Sequence, residues 1–226
     1  TAAALFSGVM NLDPDPNMLT DFDRQDWWLT QHHFNGDRLV AGVDEVGRGA
    51  IFGPVVAAAV VLPVAAIASL RPLGVRDSKK LSPRQRENLA GQLLGILTTY
   101  HISFSDVPTI DRDNIRQASL LAMGRSIAGL SISPDYLLVD GRDFIPGLTI
   151  PQTAVIKGDT HSALIGAASI LAKVWRDRLI IRLASRYPGY DLANNKGYGT
   201  PKHRQGLQQL GKTPLHRALF CRKILA

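Results

Sequence analysis

The sequence predicts a mixed α/β domain flanked by helices, with a small basic helical appendage at its C-terminal end. Two valine-rich runs within Leu39–Leu62 flank a glycine turn. Short apolar strand patterns then alternate with longer helical ones. Positive charge gathers late: from Thr160 to Ala226 twelve Lys/Arg face two acids, a net +10 out of +7 for the chain, which leaves −3 for residues 1–159. A basic tail on a neutral-to-acidic body points to a polyanionic partner, of which nucleic acid is the natural class.

Taken in order, residues 1–20 are small, proline-bearing and unpatterned. Residues 21–36 carry Trp27, Trp28 and the pair His32-His33, and read as a short helix laid against the body; the histidines read as surface or helix-cap residues. Leu39–Val46 and Val55–Leu62 read as an antiparallel strand pair. Val64–Pro72 is a small-residue connection of no clear period. Ser82 and Pro83 fit the cap and first position of a helix. Thr99–Val107 reads as a third strand, and either Thr109 or Asp111 as the cap of a helix running to about Gly129, with Ile115, Leu120, Leu121 and Ile127 as its stripe. Tyr136–Val139 and Thr153–Lys157 are short strands, the first ending on Asp140 and the second at Gly158-Asp159. From Thr160 to about Tyr187 apolar residues recur at spacings of three and four, with Lys173, Arg176, Arg178, Arg182 and Arg186 lying largely on the other side. Pro188-Gly189 stops that helix. The chain thus divides into an extension over 1–36, a body over 37–190 and an appendage over 191–226.

The chemistry is carried by acids at strand ends: Asp44 and Glu45, then Asp140, then Asp159. Strand ends on one edge of an α/β sheet converge, and such folds place their sites there. Four carboxylates gathered together repel unless cations intervene, and all-oxygen ligands suit Mg²⁺ or Mn²⁺. Two such ions roughly 3.5–4 Å apart can activate a water and stabilise the leaving oxygen of a phosphodiester. Neighbouring strand residues point to opposite faces. Either the strand therefore bends at Asp44-Glu45, or Glu45 contributes from the side or through its backbone. Arg48, held between Gly47 and Gly49, can bring its guanidinium and bare backbone amides close to a phosphate. Lys79 and Lys80 contact phosphate or pair with an acid, and Asp177, between two arginines in a helix, reads as structural.

GVDEVGRG, DSKKLS, LLVDG, VIKGD, AASILAKVWRDR and KGYGTPKHR occur in an order that resembles type 2 ribonuclease H, the bacterial ribonuclease HII family, over roughly residues 39–220. The resemblance implies a ribonuclease H-like sheet and endonucleolytic cleavage of RNA in RNA–DNA hybrids and of single ribonucleotides embedded in duplex DNA. Products would carry 3′-hydroxyl and 5′-phosphate ends. It implies Asp44, Glu45, Asp140 and Asp159 as catalytic metal ligands for two Mg²⁺ or Mn²⁺ ions. Gly47, Arg48 and Gly49 would follow the backbone around the scissile phosphate and the ribose 2′-hydroxyl, and Tyr198 would stack near the sugar beyond the RNA–DNA junction. Leu219-Phe220-Cys221 departs from the serine-phenylalanine common in the family, and so does Ala50-Ile51-Phe52 from its proline-leucine-small pattern.

Other features exclude alternatives. Gly206 to Thr213 matches a phosphate-loop expression letter for letter, but a helical stretch precedes it and Pro214 follows at once. Phe52 occupies the place of the third glycine in a dinucleotide fingerprint. A single cysteine, Cys221, excludes an internal disulfide framework and a cysteine-rich zinc site. The apolar run broken by Pro54 and Pro63 falls short of the roughly 20 residues of a spanning helix, and no secretory leader pattern opens the sequence. These features lead to the expectation of a cytoplasmic monomer acting on nucleic acid without a membrane. A DNA-cutting nuclease sharing the acids and a non-enzymatic hybrid-binding module are the rival readings.

Overall fold

The computed structural model describes residues 37–75 and 81–225. The extension over 1–36, with its tryptophans and His32-His33, lies outside the described residues, as do Lys79 and Lys80.

Strands β1 (Leu39–Val46) and β2 (Val55–Pro63) pair antiparallel with Val43 opposite Ala59, as their patterns predict. A 3-10 helix, Val64–Leu73, follows where the sequence offers no period, and Gly74 ends it in the left-handed region. Helix α1 (Pro83–Leu94) starts at a full capping box: the Ser82 hydroxyl accepts from the Gln85 N–H, and the Gln85 side chain accepts from the Ser82 N–H. Strand β3 (Thr99–Ser105) is shorter than expected. Asp106 accepts the Thr109 N–H at 3.0 Å and caps α2 (Val107–Ala128), so neither Thr109 nor Asp111 is the cap. The earlier start is set by Pro108, which fits a first turn and not the end of a strand. Within α2, Asn114 takes a φ of 69° and its side chain accepts from the N–H groups of Arg116 and Gln117, kinking the helix.

Strands β4 (Tyr136–Asp140) and β5 (Gln152–Val155) add in parallel on the other side of β1, giving the order β3-β2-β1-β4-β5. Asp159 is not at a strand end. β5 stops at Val155, Lys157 turns the chain at a φ of 55°, and Asp159 sits on the one-turn helix α3 (Gly158–His161). The long helix α4 (Ala163–Ala184) begins at Ser162, whose hydroxyl accepts from Ile165, rather than at Thr160. The short α5 (Leu192–Asn195), α6 (Pro201–Leu210) and α7 (Ala218–Leu225) complete the chain.

Both faces of the sheet are covered, which is why β2 is a continuous run of Val and Ala with every residue but the last buried. Val40, Val56, Ala58, Val60 and Leu138 pack under α4, while Ala41, Val43, Ala57, Ala59, Leu137 and Val139 pack under Leu120, Met123 and Ile127 of α2. Leu121, expected in that stripe, is exposed. A further cluster joins Ile51, Phe52, Ile180, Tyr190, Leu192, Leu207 and Cys221, so the last helices share a core with the turn after β1.

Candidate active site

The parallel pairing of β1 and β4 puts Val43 beside Val139. The next residues along each strand are Asp44 and Asp140, which therefore meet on the same face at the ends of adjacent strands, where the sheet changes from antiparallel to parallel connection. Ligand oxygens of Asp44, Glu45 and Asp140 lie within 4.8 Å of one another. Of the two options open for Glu45, the structure takes the contribution from the side. Glu45 stays in register with Ala57 and its longer side chain reaches the cluster, while its backbone N–H donates to Asp44 Oδ1 at 2.7 Å. Arg48 Nη1 donates to Glu45 Oε1 at 3.1 Å. Gly158 donates its N–H to Asp140 Oδ1 at 2.6 Å, tying α3 to the end of β4. Asp159 lines the same cleft, outside the tight group of three.

The electrostatics follow from this crowding. Burial, then the charges of Asp140 and Glu45, push the Asp44 carboxyl well above the ordinary range; a hydrogen bond from Ser169 works against them. Glu45 is raised by burial, with Arg48 opposing. Asp140 is raised by burial too, and the Gly158 N–H opposes. Buried carboxylates held this close, with oxygen as the ligand atom throughout, fit a hard divalent cation.

One cleft of about 390 Å³ takes in all four carboxylates, Gly47, Arg48, Gly49 and Tyr198. Arg86, Ser169 and Lys173 also line it, and sequence reasoning missed all three as site residues. Lys173 and Ser169 lie four residues apart on α4, a spacing that puts them on one face. Lys173 Nζ is 2.7 Å from Asp177 and 5.6 Å from the centre of the Tyr198 ring. Tyr198 is fixed against the turn after β1, since Ala50 pairs with it and the N–H groups of Ile51 and Phe52 donate to the Gly197 carbonyl.

One of the five basic residues expected largely opposite the apolar side of the long helix, Arg176, is in fact buried. Arg176 donates to the carbonyls of Pro54, Lys196 and Phe52 at 2.8–3.0 Å, and its guanidinium lies 5.5 Å from the Tyr198 ring. The position was legible: Ala168, Ala172, Arg176 and Ile180 repeat every four residues and all are buried. Its charge hid it, because arginine is seldom buried unless paired. Arg217 complements it, donating to Gly53 and Arg48 carbonyls at 3.0 and 2.8 Å. Gly47, at a φ of +89°, leaves room for this support; a Cβ there would meet Arg176 Nε at 2.2 Å.

Comparison with known proteins agrees with the resemblance drawn from the motifs. A family model described as ribonuclease HII matches residues 41–223. Ribonuclease HII of Synechocystis sp. is 66% identical over 186 residues, covering 82% of this chain and 98% of that protein. The Acaryochloris marina ribonuclease HII is 58% identical over 181 residues, covering 80% and 91%. Among solved structures, ribonuclease H2 from Pyrococcus horikoshii OT3 superposes with a TM-score of 0.71 at 32% identity, covering 83% of this chain and 97% of that one. The ribonuclease HII of Archaeoglobus fulgidus, solved in a complex with PCNA, gives 0.69 at 29% identity, covering 83% and 95%.

Proposed function

The chain belongs to the ribonuclease HII family, a ribonuclease H that cleaves the RNA strand of RNA–DNA hybrids, and from that premise we propose the finer reaction and its residues. The enzyme depends on divalent metal, and cleaves single ribonucleotides embedded in duplex DNA as well as hybrids, leaving 3′-hydroxyl and 5′-phosphate ends. The observation that carries this reading is the convergence of Asp44, Glu45 and Asp140 within 4.8 Å beside the Gly47-Arg48-Gly49 turn.

Asp44, Glu45, Asp140 and Asp159 would hold two divalent ions, Mg²⁺ or Mn²⁺, which when bound supply an activated water and neutralise charge at the scissile phosphodiester. The protein's own part is positioning. Gly47, Arg48 and Gly49 carry the backbone to the phosphate and the 2′-hydroxyl, the atom that separates ribose from deoxyribose. Arg48 is already held by Glu45, which links substrate grip to the carboxylates. Tyr198 stacks on the sugar beyond the junction, braced by Lys173 and Arg176. Lys79 and Lys80, which the sequence leaves open between phosphate contact and pairing with an acid, are proposed as phosphate contacts.

The basic appendage over 191–226 grips the backbone without reading bases, which suits a substrate defined by sugar and not by sequence. The enzyme is proposed to act as a monomer. No helix of the described residues is long and apolar enough to cross a membrane. A cytoplasmic setting is proposed from the nucleic-acid substrate.

The test is a DNA duplex with one ribonucleotide beside an all-DNA control, in Mg²⁺, Mn²⁺ or EDTA, with wild type and Asp140→Asn. Metal-dependent cutting 5′ to the ribonucleotide, lost in the variant and absent on the control, is expected. Equal cutting of both duplexes would replace the reading with a general DNA nuclease.

A further inference from the structure

Behind Tyr198 the described residues bury two imidazoles that the reaction does not use. His203 on α6 and His216 before α7 are both buried, and their Nε2 atoms lie 3.1 Å apart. The second nitrogen of each ring is engaged too. His216 Nδ1 lies 3.0 Å from the Thr213 backbone nitrogen and 2.9 Å from the Thr213 hydroxyl, whose oxygen receives the Leu215 N–H. A backbone N–H can only donate, so His216 Nδ1 is bare and the proton sits on Nε2. That proton points at His203 Nε2, which must accept, so His203 is protonated on Nδ1. His203 Nδ1 lies 2.9 Å from the Tyr198 carbonyl, which can only accept. One neutral tautomer of each ring satisfies every group in the line.

Two apolar side chains of similar size would fill this space with no polar atoms to desolvate. The line instead spends burial on direction: it connects Thr213 to the backbone of Tyr198 through four ring nitrogens with no acceptor or donor wasted. Phe52 and Tyr190 clamp the His216 ring at 5.0 and 4.8 Å between centroids. Burial lowers both imidazoles, His216 to about 4, with the neighbouring His203 and Lys212 adding to it, so the neutral line persists at neutral pH.

We propose that His203 and His216 form a tautomer-locked hydrogen-bond line that positions Tyr198, and so sets how strongly the enzyme favours a lone ribonucleotide next to deoxyribose over continuous RNA. This rests on the stacking role given to Tyr198 above. Both histidines are positioning residues, acting through Tyr198 and touching no substrate.

Two measurements test it. Nitrogen-15 NMR of the wild-type imidazoles between pH 6 and 8 is expected to show His216 protonated on Nε2 and His203 on Nδ1; the opposite tautomers, or exchange between them, would overturn the line. The second compares kcat/KM on a single-ribonucleotide duplex with that on a continuous hybrid. His203→Asn keeps an amide donor at the place of Nδ1, whereas His203→Gln carries its amide to the place of Nε2 and abandons Tyr198. The ratio is expected to fall about three- to tenfold in His203→Gln, the span of one ordinary hydrogen bond, and to stay within about twofold of wild type in His203→Asn. His203→Gln should add nothing to Tyr198→Ala in the double variant. Equal effects of Asn and Gln, or effects that add to Tyr198→Ala, would reduce the histidines to packing and overturn the proposal. Tyr198→Ala alone separates the two readings. An unchanged ratio there overturns the stacking role, and a lowered one beside an unchanged His203→Gln overturns the positioning line.

Discussion

Gly47 and Gly49 stand two residues apart in one turn, and the structure gives them opposite duties. A Cβ on Gly47 would enter the Arg176 guanidinium and would be held at a φ of +89°, whereas one on Gly49 meets nothing within 4 Å. Gly47→Ala should therefore lower stability by about 1–3 kcal/mol. Gly49→Ala should melt like wild type and lose cleavage, because the space it fills is the space left for substrate. Thermal melts beside kcat/KM on the single-ribonucleotide duplex check both, and a stable, fully active Gly49→Ala would refute the close approach. Asp44, Glu45 and Asp140 were legible at this scale as acids at the ends of apolar strands, and the structure brings the three together. The duties of Arg176 and Arg217 were not legible, even though the four-residue repeat marked the place of Arg176, because their partners are carbonyls of residues 48–54 and 196, and carbonyls leave no mark in a sequence.

At the level of elements, the site is the meeting of two strand ends, a one-turn helix and one face of α4. The strands and long helices were readable from period, and Ser82 and Pro83 stand where their chemistry predicts, whereas the caps of the two long helices fall at Asp106 and Ser162. What period cannot show is an element of a single turn, too short for a pattern to repeat. α3 is four residues long, and its presence turns Asp159 from a strand-end acid into one carried on a separate turn. Helix α4 joins the layers, with Ser169 and Lys173 facing the cleft and Arg176 in the core behind it. Arg176→Met would keep the unbranched stem of the side chain, end short of the guanidinium, and strand three carbonyls that now receive a charged donor. A loss of about 3 kcal/mol is expected, read as a lower urea midpoint at unchanged slope. Activity on every substrate should fall together, because both the glycine turn and the Lys196 end of the Tyr198 loop hang on that one group. A variant as stable as wild type would mean that water replaces the guanidinium there.

For the whole molecule, the decisive balance is between the fold and the charge it concentrates. Asp44, Glu45 and Asp140 are all held above their ordinary carboxyl values, with burial the largest cause in each. Their protons are therefore bound more tightly in the folded chain than in the unfolded one, and by linkage the folded state loses stability as pH rises past the unfolded values. The loss is absent below the ordinary carboxylate range and complete above the raised folded values. His216 runs the other way: its lowered value costs stability as pH falls from about 6.5 towards 4, so the carboxylate effect must be isolated by difference. Asp44→Asn supplies that difference. In EDTA the variant should be more stable than wild type at pH 8, and its advantage should shrink as pH falls towards 5. Each kcal/mol of relief would appear as about 2–4 °C in Tm for a chain of this size. Adding Mn²⁺ should reverse the order, because an ion that binds only the folded wild type stabilises it by mass action, by about 2.7 kcal/mol at a hundredfold excess over Kd. An Asp44→Asn protein that in EDTA at pH 8 melts no higher than wild type would mean that the three carboxylates are already neutralised within the fold, and that the cation demand inferred from their crowding is wrong.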